Sequence, residues 1–221
     1  MRWLTGVRLP HASRCSHGAA QRWRIGLSEP NPNADPAQGP LISAIEAIPP
    51  GAAAAGDTWD GDWLSPMGVD LQINGGLGLA FPELSQADLP RLGELQALLW
   101  RDGVEAICPT LVTCGVAPLR QSLEVLQQAR RLTIAGQQCQ LLGAHLEGPF
   151  LARERRGAHP EQHLAAPSLE ALRERISGFE ADIALVTLAP ELEGAAGVID
   201  ELHRLGVVVS LGHSAANEVQ A

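Results

Sequence analysis

From Pro66 onward the chain repeats one pattern, a short apolar run followed by a longer stretch with apolar residues three or four apart. The runs are "GVDLQIN" (68–74), "VEAICPT" (104–110), "QLLGAHLE" (140–147), "IALVTLAP" (183–190) and "VVVSLGH" (207–213), with starts 36, 36, 43 and 24 residues apart. Runs this short and this apolar suit strands buried on both faces. The interval suits a βαβ unit of about 30 residues or more. Leu89, Leu92, Leu95, Leu98 and Leu99 mark one intervening helix, and Leu119, Leu123 and Leu126 another. Ser85, with Asp88 three residues on, and Ser168 stand where N-caps belong. Regular alternation of strand and helix argues for βα units, so the pattern predicts an α/β fold with a parallel sheet.

Two architectures satisfy that pattern. A doubly wound sheet of five strands is complete within the 156 residues from Pro66 to Ala221, whereas a (β/α)8 barrel needs about 250 residues. A barrel here would be incomplete, with about five βα units of the eight. The final "GHSAANEVQA" leaves a strand and enters what reads as the first turn of a helix, with no capping glycine. That favours the interrupted barrel.

Residues 1–65 have another texture. Six of the sixteen prolines fall between Pro30 and Pro50, separated by short apolar stretches such as "LISAIEAI". Proline lacks a donor and fixes its own φ, so the segment predicts a small irregular β-rich unit, with a flexible leader as the alternative. The expected division is 1–65 and 66–221.

Composition excludes several classes. A chain 45% hydrophobic and 19% charged builds a core, and a net charge of −9 argues against a face that neutralises nucleic-acid phosphates. Cys15, Cys108, Cys114 and Cys139 are scattered without a Cys-x-x-Cys pair, which fits a reduced cytoplasm. No window reaches the roughly 18 consecutive apolar residues of a membrane helix, and the amino-terminal residues lack an apolar export signal.

"GAHLEGPFL" (143–151) carries the chemistry. In a strand, residues two apart share a face, so His145 and Glu147 point the same way from an apolar run. A buried carboxylate must be paired, protonated or bound to a metal. Glu147 ends the third run and His213 the fifth, and parallel sheets gather functional groups at the carboxyl ends of their strands. Carboxylate oxygen and imidazole nitrogen are ligands of a catalytic Zn²⁺ or similar ion, which takes three protein ligands. Two ligands are visible and a third is not. Competing readings remain open: Glu147 as a loop carboxylate capping backbone N–H groups, His213 as a helix cap, and His145 as an interior histidine with its own hydrogen bonds.

Other motifs point less far. "DLQINGG" puts Asp70, Gln72 and Asn74 on one face, and amides are weak metal ligands, which argues against a second metal. Gly76 and Gly78 give only Gly-x-Gly, with Phe81 where a dinucleotide loop needs its third glycine. Arg153, Arg155 and Arg156 form a basic loop after Glu147, fit either for an anionic group such as phosphate or for simple solvation. "HASRCSH" offers His11, Cys15 and His17, too few for a structural zinc site.

Taken in order, "VDLQINGG", "GVEAICPTLVTC", "LGAHLEGPFL" followed by "RRGAHP", "VTLAPE" and "VSLGHSAA" resemble the N-acetylglucosamine-6-phosphate deacetylases of the amidohydrolase superfamily. The resemblance covers nearly all of residues 64–217. It implies a βα barrel with a small β-sandwich, and hydrolysis of the acetamide of N-acetylglucosamine 6-phosphate to glucosamine 6-phosphate and acetate. It also implies a single divalent ion, Zn²⁺ first, a sugar-phosphate partner, and a homodimer when full length. By matching motif, Glu147 and His213 are metal ligands. Ala158 and His159 meet the substrate, Gln72 and Asn74 match the single-metal form of the site on its substrate side, and His145 supports Glu147. The family's second metal-binding His, catalytic Asp and phosphate-binding Arg fall beyond residue 221. Met67 precedes Gly68 where the family has Pro-Gly and a large apolar residue, and Ala215 stands where Asn is common. Two further readings stay open: a non-catalytic fragment, and an amidohydrolase acting on another acetylated sugar or a ring amide.

Overall fold

The computed structural model describes residues 2–10, 21–28, 41–52, 56–58, 63–132 and 137–221. His11, Cys15 and His17 lie outside them. The chain divides into two compact units, Met1–Met67 and Gly68–Ala221.

The leading unit is one four-stranded sheet built from β1 (Arg2–Val7), β2 (Trp23–Leu27), β3 (Ile42–Ala47) and β4 (Asp57–Thr58), in the order β3-β2-β1-β4. β1–β2 and β2–β3 are antiparallel and β4 runs parallel to β1. Among the described residues the expected sandwich is represented by this single sheet. Val7 and Ile25 are its fully buried apolar residues, while Ile42 and Ile45 on the edge strand stay exposed. The guanidinium of Arg24 lies 4.5 Å over the Trp3 ring and pairs with Glu46.

In the second unit β5 (Gly68–Ile73), β8 (Val104–Val112), β10 (Ala144–Glu147), β11 (Ile183–Leu188) and β12 (Val208–Leu211) form a parallel sheet in the order β12-β11-β10-β8-β5. That order decides between the two architectures. A doubly wound sheet reverses its strand order at a switch point, whereas here each strand pairs with the next in sequence, as in a barrel wall. Curvature is visible in one contact. The ring of His145 on β10 reaches the carbonyl of Leu71 on β5, with Nδ1···O at 3.1 Å, although β8 lies between. In a flat sheet two strand spacings separate the backbones by about 9.6 Å, so the five strands curl into a half-barrel. An irregular register between Asp70 and Ile73 leaves the Leu71 region out of step with β8.

The expected third strand is divided. β9 (Gln140–Leu141) pairs with β8 alone, the chain bends at Leu142–Gly143, and β10 then pairs with both neighbours. The connecting helices α1 (Leu89–Arg101), α2 (Val116–Arg131), α3 (Leu169–Ile176) and α4 (Ala195–Arg204) bury the leucine stripes of the sequence. Leu92 and Leu95 of α1, Leu119, Leu123 and Leu126 of α2 and Leu202 of α4 join Ile107, Leu111, Leu146, Val186 and Leu188 in one core. Each such side chain contributes about 1.5–3 kcal/mol by leaving water.

Caps fall where the serines predict, with one refinement. Ser85 and Asp88 form a reciprocal capping box on the short 3-10 turn Gln86–Asp88 that leads into α1, and the Ala171 N–H donates to Ser168 Oγ at 3.1 Å at the start of α3. The glycines of "NGGLG" make a tight antiparallel hairpin, β6 (Gly75–Gly76) with β7 (Leu79–Ala80), unlike the strand-to-helix turn of a dinucleotide loop. After His213 the expected first helical turn is a turn at residues 218–220, with the N–H groups of Val219 and Gln220 donating to Asn217 Oδ1. No helix among the described residues is long and apolar enough to cross a membrane.

Candidate metal centre

Because the sheet is parallel, the carboxyl ends of its strands lie side by side. Glu147 closes β10 between Val112 of β8 and Thr187 of β11, and its side chain is buried. The following Gly148 has φ +91°, and a Cβ there would sit 2.2 Å from Thr113 Oγ1. Glycine therefore lets the Thr113 hydroxyl close on the strand end, where it donates to the Glu147 carbonyl at 3.0 Å.

His213 arrives two residues past β12 with φ +51°, a left-handed backbone that is uncommon outside glycine. Gly212 before it leaves no room for a side chain, since a Cβ would meet Thr187 Cγ2 at 2.7 Å. His159 enters from the loop after the 3-10 turn Arg153–Arg155 and is as buried as Glu147.

These three side chains converge. Glu147 Oε1 lies 3.0 Å from His213 Nε2 and 3.8 Å from His159 Nε2, and one donor atom from each residue falls within 4.8 Å of the others. The two imidazoles meet edge to face with centroids 4.6 Å apart.

Hydrogen bonds orient both rings. His213 Nδ1 is 2.9 Å from the Arg155 carbonyl, which can only accept, so Nδ1 carries a proton and Nε2 is the nitrogen turned toward Glu147. For His159 two contacts disagree. The Thr113 amide points at Nδ1 from 3.4 Å and would want a lone pair there, while the Thr113 hydroxyl lies at 2.9 Å. That hydroxyl already donates to the Glu147 carbonyl, so it must accept from Nδ1–H. Both contacts hold Nδ1 against Thr113, and His159 likewise turns Nε2 toward Glu147.

Burial holds the His159 imidazole below its ordinary value, against the upward pull of Glu147 and with the help of neighbouring His213. A neutral His159 forms no ion pair with Glu147. A buried carboxylate thus faces the Nε2 atoms of two imidazoles, an arrangement suited to holding a cation. One carboxylate and two imidazoles is the donor set of a catalytic zinc site, and the 3.0 and 3.8 Å separations bracket the roughly 3.4 Å between tetrahedral donors with bonds of about 2.0–2.2 Å.

His159 is thus the third side chain of the cluster, which spacing did not reveal and which the family likeness put on the substrate side. Ala158 beside it is exposed on the rim. His145 is buried and fully engaged elsewhere: Nδ1–H donates to the Leu71 carbonyl, and Nε2 accepts from Thr187 Oγ1 at 2.8 Å. It faces the interior of the half-barrel and makes no hydrogen bond to Glu147 among the described contacts. Gln72 and Asn74 are exposed, and none of the described hydrogen bonds joins their side chains to the cluster. In the basic loop Arg153 and Arg156 both pair with Glu161, and Arg156 donates to the His159 carbonyl at 2.9 Å. Sequence reasoning passed over Thr113, which looks like one more strand residue in "PTLVTC", and the Arg155 carbonyl, which has no side-chain signature.

No family model matches the chain. The bovine protein named N-acetylglucosamine-6-phosphate deacetylase is 40% identical over 156 residues, which is 70% of this chain and 37% of that one. An N-acetylgalactosamine-6-phosphate deacetylase of Escherichia coli O157:H7 is 33% identical over 176 residues, covering 80% of this chain and 44% of its own. The crystal structure of N-acetyl-D-glucosamine-6-phosphate deacetylase from Mycobacterium smegmatis superposes on all of this chain with a TM-score of 0.72 and 25% identity, over 52% of its own length. The chain thus spans about half, or less, of the proteins it matches. By sequence over 70% of its residues and by fold over its whole length, it is a partial relative of the N-acetylglucosamine-6-phosphate deacetylases.

Proposed function

We propose that these residues form the metal-holding part of a deacetylase that hydrolyses the acetamide of N-acetylglucosamine 6-phosphate to glucosamine 6-phosphate and acetate. The observation that carries this reading is the convergence of Glu147, His159 and His213 at the carboxyl ends of a half-barrel. Glu147 and His213 hold the divalent ion, Zn²⁺ in the first instance, by carboxylate oxygen and Nε2. His159 approaches the same Oε1 from 3.8 Å with its ring against that of His213, placed to meet the ion or the substrate at its edge. Such an ion supplies a Lewis acid for an amide carbonyl and a more acidic water.

The chain's own residues prepare that chemistry. The Arg155 carbonyl and Thr113 orient both rings, and burial of Glu147 and His159 keeps competing water off the carboxylate. The loop carrying Ala158 and His159 borders the site and is where a sugar phosphate is received. Cys108, Cys114 and Cys139 are free thiols, in keeping with a cytoplasmic setting.

The test begins with metal. Zn²⁺ titrated into the chain and into Glu147→Gln should bind the first and fail on the second; equal binding removes Glu147 from the ligand set. Acetate release by a form spanning the full length of the relatives then tests the reaction. N-acetylglucosamine 6-phosphate should outrun its galacto epimer and the unphosphorylated sugar. Preference for the galacto epimer would move the assignment toward the activity named for the Escherichia coli relative.

A further inference from the structure

We infer that Glu191 is a positioning residue for His213, acting through the two residues that follow it. This rests on the reading of Glu147, His159 and His213 as a metal site. Glu191 lies in the turn after β11, and none of its described contacts reaches the three donors. Its carboxylate accepts the Ser214 hydroxyl on Oε2 at 2.7 Å and the Ala215 N–H on Oε1 at 2.6 Å. Ser214 Oγ in turn accepts the Ala216 N–H at 2.9 Å. A single carboxylate thus ties the loop leaving β11 to the segment immediately after His213.

His213 needs such a tie. Its φ of +51° is costly for a side chain branched only at Cγ but bearing a Cβ, and such residues persist where their surroundings over-determine them. Before it, the Gly212 N–H donates to the Leu188 carbonyl at 3.0 Å, and the His213 carbonyl accepts from the Ala152 N–H at 3.0 Å. Its ring is fixed by the Arg155 carbonyl. Those contacts hold the residue from the strand side and through its ring. On the far side the Glu191 pair stops Ser214 and Ala215 from swinging away, a motion that would let His213 relax to negative φ and carry Nε2 off the cluster.

The experiment uses the chain as it stands, with Glu191→Ala, Glu191→Gln and a remote control, Glu201→Gln, whose side chain pairs with Arg204 on α4. Zn²⁺ affinity should fall about 10–100-fold in Glu191→Ala, the usual effect of removing a group that orients a ligand. It should fall less in Glu191→Gln, which keeps one acceptor, and stay unchanged in the control. In the metal-free chain, loss of Glu191 should expose the Ala215 amide to hydrogen exchange and change the His213 H–N–Hα coupling, which reports φ. Wild-type affinity together with a protected Ala215 amide in both variants overturns the inference. Should Glu191→Ala fail to fold, Glu191→Gln carries the comparison alone. Should the wild-type chain take no Zn²⁺, the metal reading falls, and the clamp is judged by the metal-free exchange and coupling: unchanged values overturn it, and the stated changes uphold it.

Discussion

In the second unit β8 and β10 are buried almost end to end, whereas in the leading unit β3 exposes five of its six residues. The residue types are not what differs. Ile107 on β8 is fully buried, while Ile42 and Ile45 on β3 are 58% and 53% exposed. Position in the sheet makes the difference, because central parallel strands are flanked on both sides and covered by helices, and β3 is an outermost strand. The same gradient runs within the second unit: Val69 and Leu71 on β5 and Val208 and Leu211 on β12, its two outer strands, are about half exposed or more. An apolar residue stabilises a strand only to the extent that something covers it.

That contrast is open to direct attack. Leu123→Ala, in the middle of the core face of α2, should cost about 2–5 kcal/mol in urea unfolding, since the site is fully closed and cannot collapse freely. A loss under 1 kcal/mol would mean the core is loosely packed. His145→Phe should cost about 1–3 kcal/mol, because it leaves the Leu71 carbonyl and the Thr187 hydroxyl without their buried partner. The same residue predicts a pH dependence. Burial lowers its folded pKa below the unfolded value near 6.5, so the unfolded chain binds the proton more tightly. Stability is full above pH 6.5 and is lost as pH falls toward the folded value, and in His145→Phe the thermal midpoint should fall less steeply over that range. Ser168→Ala, removing the cap of α3, should cost about 1 kcal/mol by the same unfolding measurement. Ile45→Ala on the exposed strand should stay within about 0.5 kcal/mol; a cost comparable with Leu123→Ala would show that β3 is covered in solution after all.

How much was legible follows from the range over which each feature is encoded. The helices and strands of residues 68–211 were readable because leucine spacing and apolar runs are local, and Ser85 and Ser168 mark caps by their own chemistry. The sheet order was not readable from composition or spacing, since pairing β8 with β10 or β5 is decided by curvature and crossover geometry. Glu147 and His213 could be proposed because strand ends are where function gathers. His159 sits in a loop that spacing cannot fold back, so its place beside Glu147 needed the structure. Thr113 and the Arg155 carbonyl were invisible for a similar reason: one is an ordinary threonine and the other is backbone. Nor does the sequence show that Arg153 and Arg156 of the basic loop pair with Glu161, a residue with no motif to announce it.

Since every strand of the half-barrel pairs with the one synthesised just before it, its assembly can follow the ribosome. Each helix and strand that emerges finds its neighbour already in place, so only one crossover has to close at each step. The side chains of residues 147, 159 and 213 therefore meet only after β12 has docked, and on the proposed metal reading affinity for an ion would appear late, as a sign that the growing wall has reached its fifth stave.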